Sequence, residues 1–122
     1  MSNFENPNGK KYDLEDRTEH FAISLIHFIK NIKTTIYNEN IIRQLLKSST
    51  SIGANYREAN GAEPKRDFKH KIAICKKEAK ETQYWLRLLF GTNPDTKEAG
   101  GVILKEAHEL ILIFAKIYSS SK

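Results

Sequence analysis

Hydrophobic residues recur along this chain at steps of three and four, the period of an α-helix with one buried face. The first such segment is predicted to run from Leu14 to Tyr37, with Asp13 as its N-cap. Its apolar stripe consists of Phe21, Leu25, Phe28, Ile32 and Ile36. Residues 1–12 are polar and show no period, so we expect a flexible N-terminal arm before a helical domain over residues 13–122.

A second helical segment follows a turn at residues 37–40 and ends at Asn60-Gly61. Its apolar and small residues keep a heptad spacing, which is typical of helices in antiparallel bundles. They are Ile42, Leu45, Ser49, Ile52, Tyr56 and Ala59. Gly53 lies in the middle of this helix, where glycine costs about 1 kcal/mol relative to alanine. We therefore expect it to permit the close approach of a facing helix.

The third helix is predicted from Pro64 to Phe90, and it carries two neighbouring stripes. The first consists of Phe68, Ile72, Cys75, Ala79, Thr82, Leu86 and Leu89. The second consists of Ile74, Glu81, Trp85 and Leu88. Together they cover roughly 200° of the helix, at about 100° per residue. A helix that packs in a four-helix bundle with one face needs a narrower apolar arc than this.

The fourth helix is predicted to start near residue 95 and to end near Tyr118. Its predicted seam consists of Leu104, Ala107, Ile111, Phe114 and Tyr118. The Gly100-Gly101 pair weakens the first turn, so a start at Val102 is also open. Because the connections are short and no stretch alternates with period two, we predict an all-α fold. The arrangement is a single up-down-up-down antiparallel four-helix bundle.

The second stripe of the third helix predicts a surface that one bundle does not cover. Aromatic anchors are enriched at subunit interfaces. We therefore predict a homo-oligomer whose interface contains Ile74, Trp85 and Leu88. The alternative is that Trp85 belongs to the core of one subunit.

The charged residues of the third helix indicate a second surface on it. The chain has 20 Lys and Arg against 15 Asp and Glu, a net charge of +5 that suits an anionic partner but is also common in small soluble bundles. Seven basic residues form what we call the basic ridge: Lys65, Arg66, Lys69, Lys76, Lys77, Lys80 and Arg87. Five of them lie within about 40° of one line that holds no acid, over roughly 30 Å.

Two interpretations of the basic ridge are open. A solvated helix face is the simpler one, although such faces usually mix both signs of charge. The other is a surface that contacts the phosphate backbone of RNA or DNA. Because Tyr84 is the one aromatic residue close by, the pattern favours sequence-independent phosphate contact over base stacking.

Polar residues also interrupt the apolar faces of the second and third helices. They are Asn55, Arg57, Glu58, Glu78 and Glu81. Paired carboxylates can serve acid–base chemistry, but no nucleophile, Gly-rich loop or ligand set accompanies them. We therefore predict a buried structural network that fixes the register of the two helices, and we expect the loss of one partner to cost about 3–5 kcal/mol.

The remaining residues carry no pattern of catalysis or metal binding. The four histidines lack the spacing of bundle metal sites; they are His20, His27, His70 and His108. Cys75, the single cysteine, lies on an apolar stripe and is predicted to be buried and unreactive. We predict no catalytic residues, no metal and no cofactor. Because there is no signal-peptide core or transmembrane run, we expect a cytoplasmic protein without membrane contact.

Most of the chain, from about Phe21 to Tyr118, resembles a known family, and the densest part of the resemblance runs from Ser48 to Leu89. The residues that carry the resemblance are Ser51-Ile52, Asn55, Arg57-Glu58-Ala59, Asp67-Phe68, Lys77-Glu78, Glu81-Thr82 and Trp85-Leu86. In these residues the chain is similar to the four helix bundle proteins encoded within intervening sequences of 23S rRNA. The resemblance implies a four-helix bundle that tends to assemble as a ring of five.

The chain also resembles a related bundle, the accessory variability protein of diversity-generating retroelements, which forms a basic pentamer and works with reverse transcriptase and nucleic acid. This resemblance implies an accessory protein associated with RNA or DNA, not an enzyme. The segment from Tyr56 to Gly61 departs from the common family pattern and is similar to a subgroup that also carries the segment from Lys77 to Leu86. A protein-binding scaffold with no nucleic-acid role is the alternative.

Overall fold

Four helices joined by short connections make up residues 13–121, the part of the chain that this computed structural model describes. The helices are α1 (Leu14–Lys30), α2 (Glu39–Asn60), α3 (Lys65–Thr92) and α4 (Lys97–Ser120), with a short 3-10 turn at Pro94–Thr96. No strand occurs in this part of the chain, and the predicted all-α four-helix bundle is confirmed. No helix between residues 13 and 121 combines the length and apolarity needed to cross a bilayer. The predicted N-terminal arm lies outside the described residues.

The predicted start of α1 and end of α2 are confirmed by their capping contacts. The side chain of Asp13 accepts a hydrogen bond from the backbone N–H of Glu15 at 3.0 Å, as an N-cap residue does. The second helix, α2, ends at Asn60, and Gly61 is its C-cap residue. The backbone N–H of Gly61 donates to the carbonyl of Glu58 at 3.2 Å.

The end of α1 differs from the prediction, because the helix stops at Lys30 although the apolar spacing continues to Ile36. Asn38 explains the difference. Its buried side chain accepts a hydrogen bond from the N–H of Thr35 at 2.8 Å and donates to the carbonyl of Lys33 at 3.0 Å. These bonds stabilise a loop in place of further helical turns. Ile36 is consequently exposed and takes no part in the core.

The pairing of α2 with α3 forms the centre of the bundle. The hydroxyl oxygens of Ser48 and Thr82 lie 2.7 Å apart, and the thiol of Cys75 donates to the carbonyl of Ile52 at 3.5 Å. Because the residue numbers rise on one helix as they fall on the other, the two helices run antiparallel. Except for Phe68, which is partly exposed, the predicted first stripe of α3 is completely buried.

The buried face of α4 follows a different line from the predicted seam. Its buried residues are Gly100, Ile103, Ala107, Leu110, Ile113 and Phe114. Of the other predicted residues, Leu104 and Ile111 are partly exposed and Tyr118 is exposed. The reason is that α4 packs on both α1 and α3, so its buried face is centred between these two neighbours. The predicted seam follows only the edge towards α3.

Gly53 permits the close approach of α2 to α1. A Cβ atom added at this position would lie 3.0 Å from Oγ1 of Thr18, tighter than an ordinary van der Waals contact. The expected packing role of this mid-helix glycine is therefore confirmed, and the facing helix is α1.

Gly100 permits a tighter contact at the start of α4. A Cβ atom here would lie 2.8 Å from Cζ of Phe28 and closer still to the ring of Phe90. The helix begins at Lys97 and continues through both glycines, so the alternative start at Val102 is wrong. The lost helix propensity of Gly100 is offset by the burial of two aromatic rings against its backbone.

The two adjacent glycines of α4 provide a matched pair of substitutions. Gly100→Ala should destabilise the fold by about 1–3 kcal/mol, because the added methyl group overpacks the two phenylalanine rings. Gly101→Ala should stabilise it by up to about 1 kcal/mol, since its Cβ would meet no atom within 4 Å and alanine favours the helix. Urea denaturation of both variants measures the difference, and equal stabilities would contradict the packing of Gly100.

Candidate nucleic-acid interface

The basic ridge runs along one continuous helix, so its charges keep a fixed spacing. From Lys65 to Arg87 it extends about 33 Å at about 1.5 Å per residue. Five of its residues are exposed, and Lys69 and Lys76 are partly buried. Between residues 13 and 121, the one ion pair made by a ridge residue joins Arg66 to Asp67, at 3.9 Å. The ridge therefore presents mostly uncompensated positive charge to the solvent.

Lys69 connects the ridge to α4. Its Nζ atom lies 4.7 Å from the centre of the Tyr118 ring, a cation–π contact worth about 0.5–1 kcal/mol at an exposed site. Along α3 itself, Tyr84 is the aromatic residue that the helical period places near the ridge. Tyr118 is thus a second aromatic neighbour, which the helical period of α3 could not reveal because it belongs to another helix.

Tyr84 lies at a shallow depression in the middle of the ridge. The depression is lined by Ala73, Lys76, Lys77, Lys80, Glu81 and Tyr84. The Tyr84 side chain is 55% exposed. The Tyr84 and Trp85 rings are in edge-to-face contact, with centroids 5.1 Å apart and planes at 67°. One carboxylate, that of Glu81, therefore borders a site otherwise formed by cations and an aromatic ring.

The residues of the predicted subunit interface lie beside the ridge on α3 and are all partly exposed. Trp85 and Leu88 also pack against the core, whereas Ile74 is not among the side chains packed there. Trp85 therefore contributes to the core of one subunit while part of its ring stays accessible. The two predicted roles for this residue are compatible with each other.

The predicted polar network between α2 and α3 does not form as one unit, because Arg57 faces α1. Its guanidinium donates to Glu15 Oε1 at 3.2 Å and to Glu19 Oε1 at 2.8 Å. Asn55 donates within its own helix, to the carbonyl of Ser51 at 2.9 Å. The prediction for these two residues is corrected because α2 contacts both neighbouring helices, and a step of about 100° per residue turns adjacent side chains towards different ones.

Glu58 alone of the five joins α2 to α3, accepting a hydrogen bond from Lys71 Nζ at 2.6 Å. The side-chain carboxylates of Glu78 and Glu81 accept no hydrogen bond from any residue between 13 and 121. Burial, followed by the neighbouring Glu81 carboxylate, raises the pKa of Glu78. These two carboxylates therefore lie on α3 as half-buried groups outside any hydrogen-bonded network, although the charges of Lys77 and of Lys47 on α2 favour the ionised form of Glu78.

An ion pair that the sequence analysis missed links α1 to α4. Arg17 Nε and Nη2 donate to the two carboxylate oxygens of Glu106 at 2.5 and 2.7 Å, a bidentate geometry. The side chains of Arg17 and Glu106 are only 11% and 31% exposed. Because the two residues are separated by 89 positions, no local pattern could predict their contact.

Cys75 is buried as predicted, and burial raises its pKa to about 12, so the thiol stays protonated at neutral pH. Within residues 13–121, no three His, Cys, Asp or Glu side chains come together in a group that could hold a metal ion.

Comparison with known proteins identifies the family of this chain. The family model described as "23S rRNA-intervening sequence protein" matches residues 10–116. The chain belongs to this family. The predicted resemblance to the family of 23S rRNA intervening sequences, over most of the chain, is therefore confirmed.

A solved structure shares both the fold and part of the sequence. It is the crystal structure of a protein of unknown function from the S23 ribosomal protein family of Bacteroides thetaiotaomicron. The two proteins are 34% identical, and the match covers 87% of this chain and 98% of that one, with a TM-score of 0.76. None of the curated proteins matches the chain.

Two arginines allow the ion pairs of this region to be compared directly. Arg17→Met should lower the free energy of unfolding by about 1.5–3 kcal/mol, because it leaves the partly buried Glu106 without its charged partner. Arg57→Met should cost less than about 1 kcal/mol, since the Arg57 side chain is 50% exposed and its pairs are surface pairs. This expectation replaces the larger loss predicted for a buried network. Urea denaturation checks it, and a larger loss for Arg57→Met would contradict it.

Proposed function

We propose that this protein is a non-enzymatic, oligomeric accessory protein that binds the phosphate backbone of RNA or DNA through its basic ridge. The observation that carries the proposal is the set of seven cations on α3, of which one has an acid partner among residues 13–121. Cations placed on phosphates gain affinity by releasing bound counterions. The description of the family, which names an intervening sequence of 23S rRNA, is compatible with such a partner.

The composition of the ridge favours contact without sequence readout. Five of its members are lysines, which bind phosphate as point charges. Reading bases in a groove requires side chains such as arginine, asparagine or glutamine aimed at the base edges. The two arginines of the ridge, Arg66 and Arg87, lie near its opposite ends. We therefore expect little discrimination between sequences.

A salt titration tests this function. Affinity for generic RNA and duplex DNA should fall steeply with salt, with a log–log slope of about −0.9 for each duplex phosphate contact. Simultaneous change of Lys76, Lys77 and Lys80 to Glu should abolish binding, because it replaces the cations at the centre of the ridge with anions. Fluorescence anisotropy measures both effects, and circular dichroism checks that the variant remains helical.

A second triple variant separates local charge from net charge. Lys33, Lys97 and Lys105 are exposed lysines outside the ridge, and their change to Glu alters the net charge by the same amount. This control should keep most of the affinity. Equal loss in both variants, or no binding by the wild type at low salt, would contradict phosphate contact through the ridge.

The proposal includes assembly into a homo-oligomer, with a ring of five as the form that the resemblance implies. The partly exposed Ile74, Trp85 and Leu88 on α3 support it, since large apolar side chains at one continuous surface favour a subunit contact. In a ring, several copies of the ridge would act on one nucleic acid, and weak contacts would combine into useful avidity.

Light scattering coupled to size exclusion tests the assembly. The wild type should show a multiple of the 14.0 kDa subunit mass, near fivefold, and Ile74→Glu should reduce it because it places a charge in an apolar contact. Ile74 is a suitable position because it is not among the side chains packed on the core. Ile23→Glu changes an exposed isoleucine of α1 and should leave the mass unchanged. A wild type that elutes as a monomer at micromolar concentration would contradict the assembly.

A protein-binding scaffold is the second candidate function. Val102 and Leu112 of α4 are large apolar side chains that remain more than half exposed. Exposed apolar side chains of this kind support a protein contact. A scaffold would depend on these residues and be indifferent to the ridge lysines, so the same lysine variants distinguish the two functions.

A further inference from the structure

Tyr84 is an exposed aromatic ring in a depression whose lining contains three lysines and one carboxylate, that of Glu81. Lys76, Lys77 and Lys80 line the same depression, and the ring stands beside them, 55% exposed. A tyrosine that remains exposed on a helix surface adds little stability through hydrophobic burial. Next to three cations, its π-face is available to a ligand that carries both a flat ring and negative charge.

Trp85 holds the Tyr84 ring in place. The two rings meet edge to face at 5.1 Å, and Trp85 packs against the core with its other side. A ring fixed in this way loses little conformational freedom when a ligand stacks on it. The arrangement differs from that of a solvent-exposed tyrosine such as Tyr37, for which the described residues provide no ring contact.

A second aromatic ring lies further along the same charged surface. Tyr118 contacts Lys69, which is fifteen residues before Tyr84 on α3, or about 22 Å at about 1.5 Å per residue. That distance corresponds to about six phosphates of a stacked strand at about 3.4 Å each. Cations interleaved with aromatic rings along one groove are the pattern of proteins that bind single strands.

We propose that the ridge binds single-stranded RNA or DNA in preference to duplex, with an unpaired base stacked on Tyr84 and the adjoining phosphates held by Lys76, Lys77 and Lys80. The inference rests on the proposed function and names its ligand more closely. A duplex hides the faces of its bases in the helical stack, so it can use only the lysines.

Substitution of Tyr84 separates the two kinds of nucleic acid. Tyr84→Leu keeps an apolar side chain but removes the π-face, and it should weaken the binding of an unstructured oligouridylate or oligothymidylate at least about fivefold. Its affinity for a duplex of equal length should stay unchanged. Tyr84→Phe should bind both ligands as the wild type does. Tyr37→Leu, which removes an exposed tyrosine from the α1–α2 connection, is the control and should also behave as the wild type.

The fluorescence of Trp85 provides an independent measurement, because Trp85 is the single tryptophan of the chain and contacts Tyr84. Its fluorescence should change when the single strand binds and stay constant when the duplex binds. Equal weakening of both ligands by Tyr84→Leu, no weakening of either, or a Trp85 signal indifferent to the bound single strand would overturn the inference while leaving phosphate binding intact. A reduced oligomer mass for Tyr84→Leu would also overturn it, since Tyr84 would then be an interface residue. Absence of binding to either nucleic acid would overturn the proposed function itself.

Discussion

The burial of one face of α3 determines where the other surfaces of the molecule lie. Its completely buried residues are Ile72, Cys75, Ala79, Thr82, Leu86 and Leu89. They lie between α2 and α4, and the buried hydrogen bond between Ser48 and Thr82 aligns the first of these contacts. With that face fixed, the basic ridge is turned towards the α4 side, where Lys69 meets Tyr118, and the stripe around Ile74 is turned to another side. The candidate ligand surface and the candidate subunit surface are therefore neighbouring parts of one helix, and they meet where Tyr84 contacts Trp85.

The sequence predicted those features that depend on one helix alone. The stripe of α3 and the spacing of its lysines follow from a single period, and both are found in the structure. Features that depend on two helices were predicted less well. The seam of α4 was placed too close to α3, and Arg57 was assigned to α3 although it pairs with α1. In each case a helix contacts two neighbours, and the helical period does not say which neighbour a given side chain meets.

Contacts between distant parts of the chain left no local signal. The Arg17–Glu106 pair and the approach of Tyr118 to Lys69 both join residues of different helices that lie far apart in the sequence. The early end of α1 is a different case, because the apolar spacing of a helix continues through residues 31–36 while Asn38 stabilises a loop. There a side-chain hydrogen bond competes with the helix and prevails. The aromatic part of the candidate site was incompletely predicted because one of its rings comes from another helix.

Gly100 has a consequence for how this sequence can vary. The start of α4 lies against the rings of Phe28 and Phe90, and there is no space for a side chain between them. The three positions are therefore coupled: a larger residue at position 100 is compatible with the fold only where both rings have moved or become smaller. A substitution that is neutral in one relative would be harmful in another with different residues at these positions. The order in which substitutions arise at these three positions therefore affects which of them the fold tolerates.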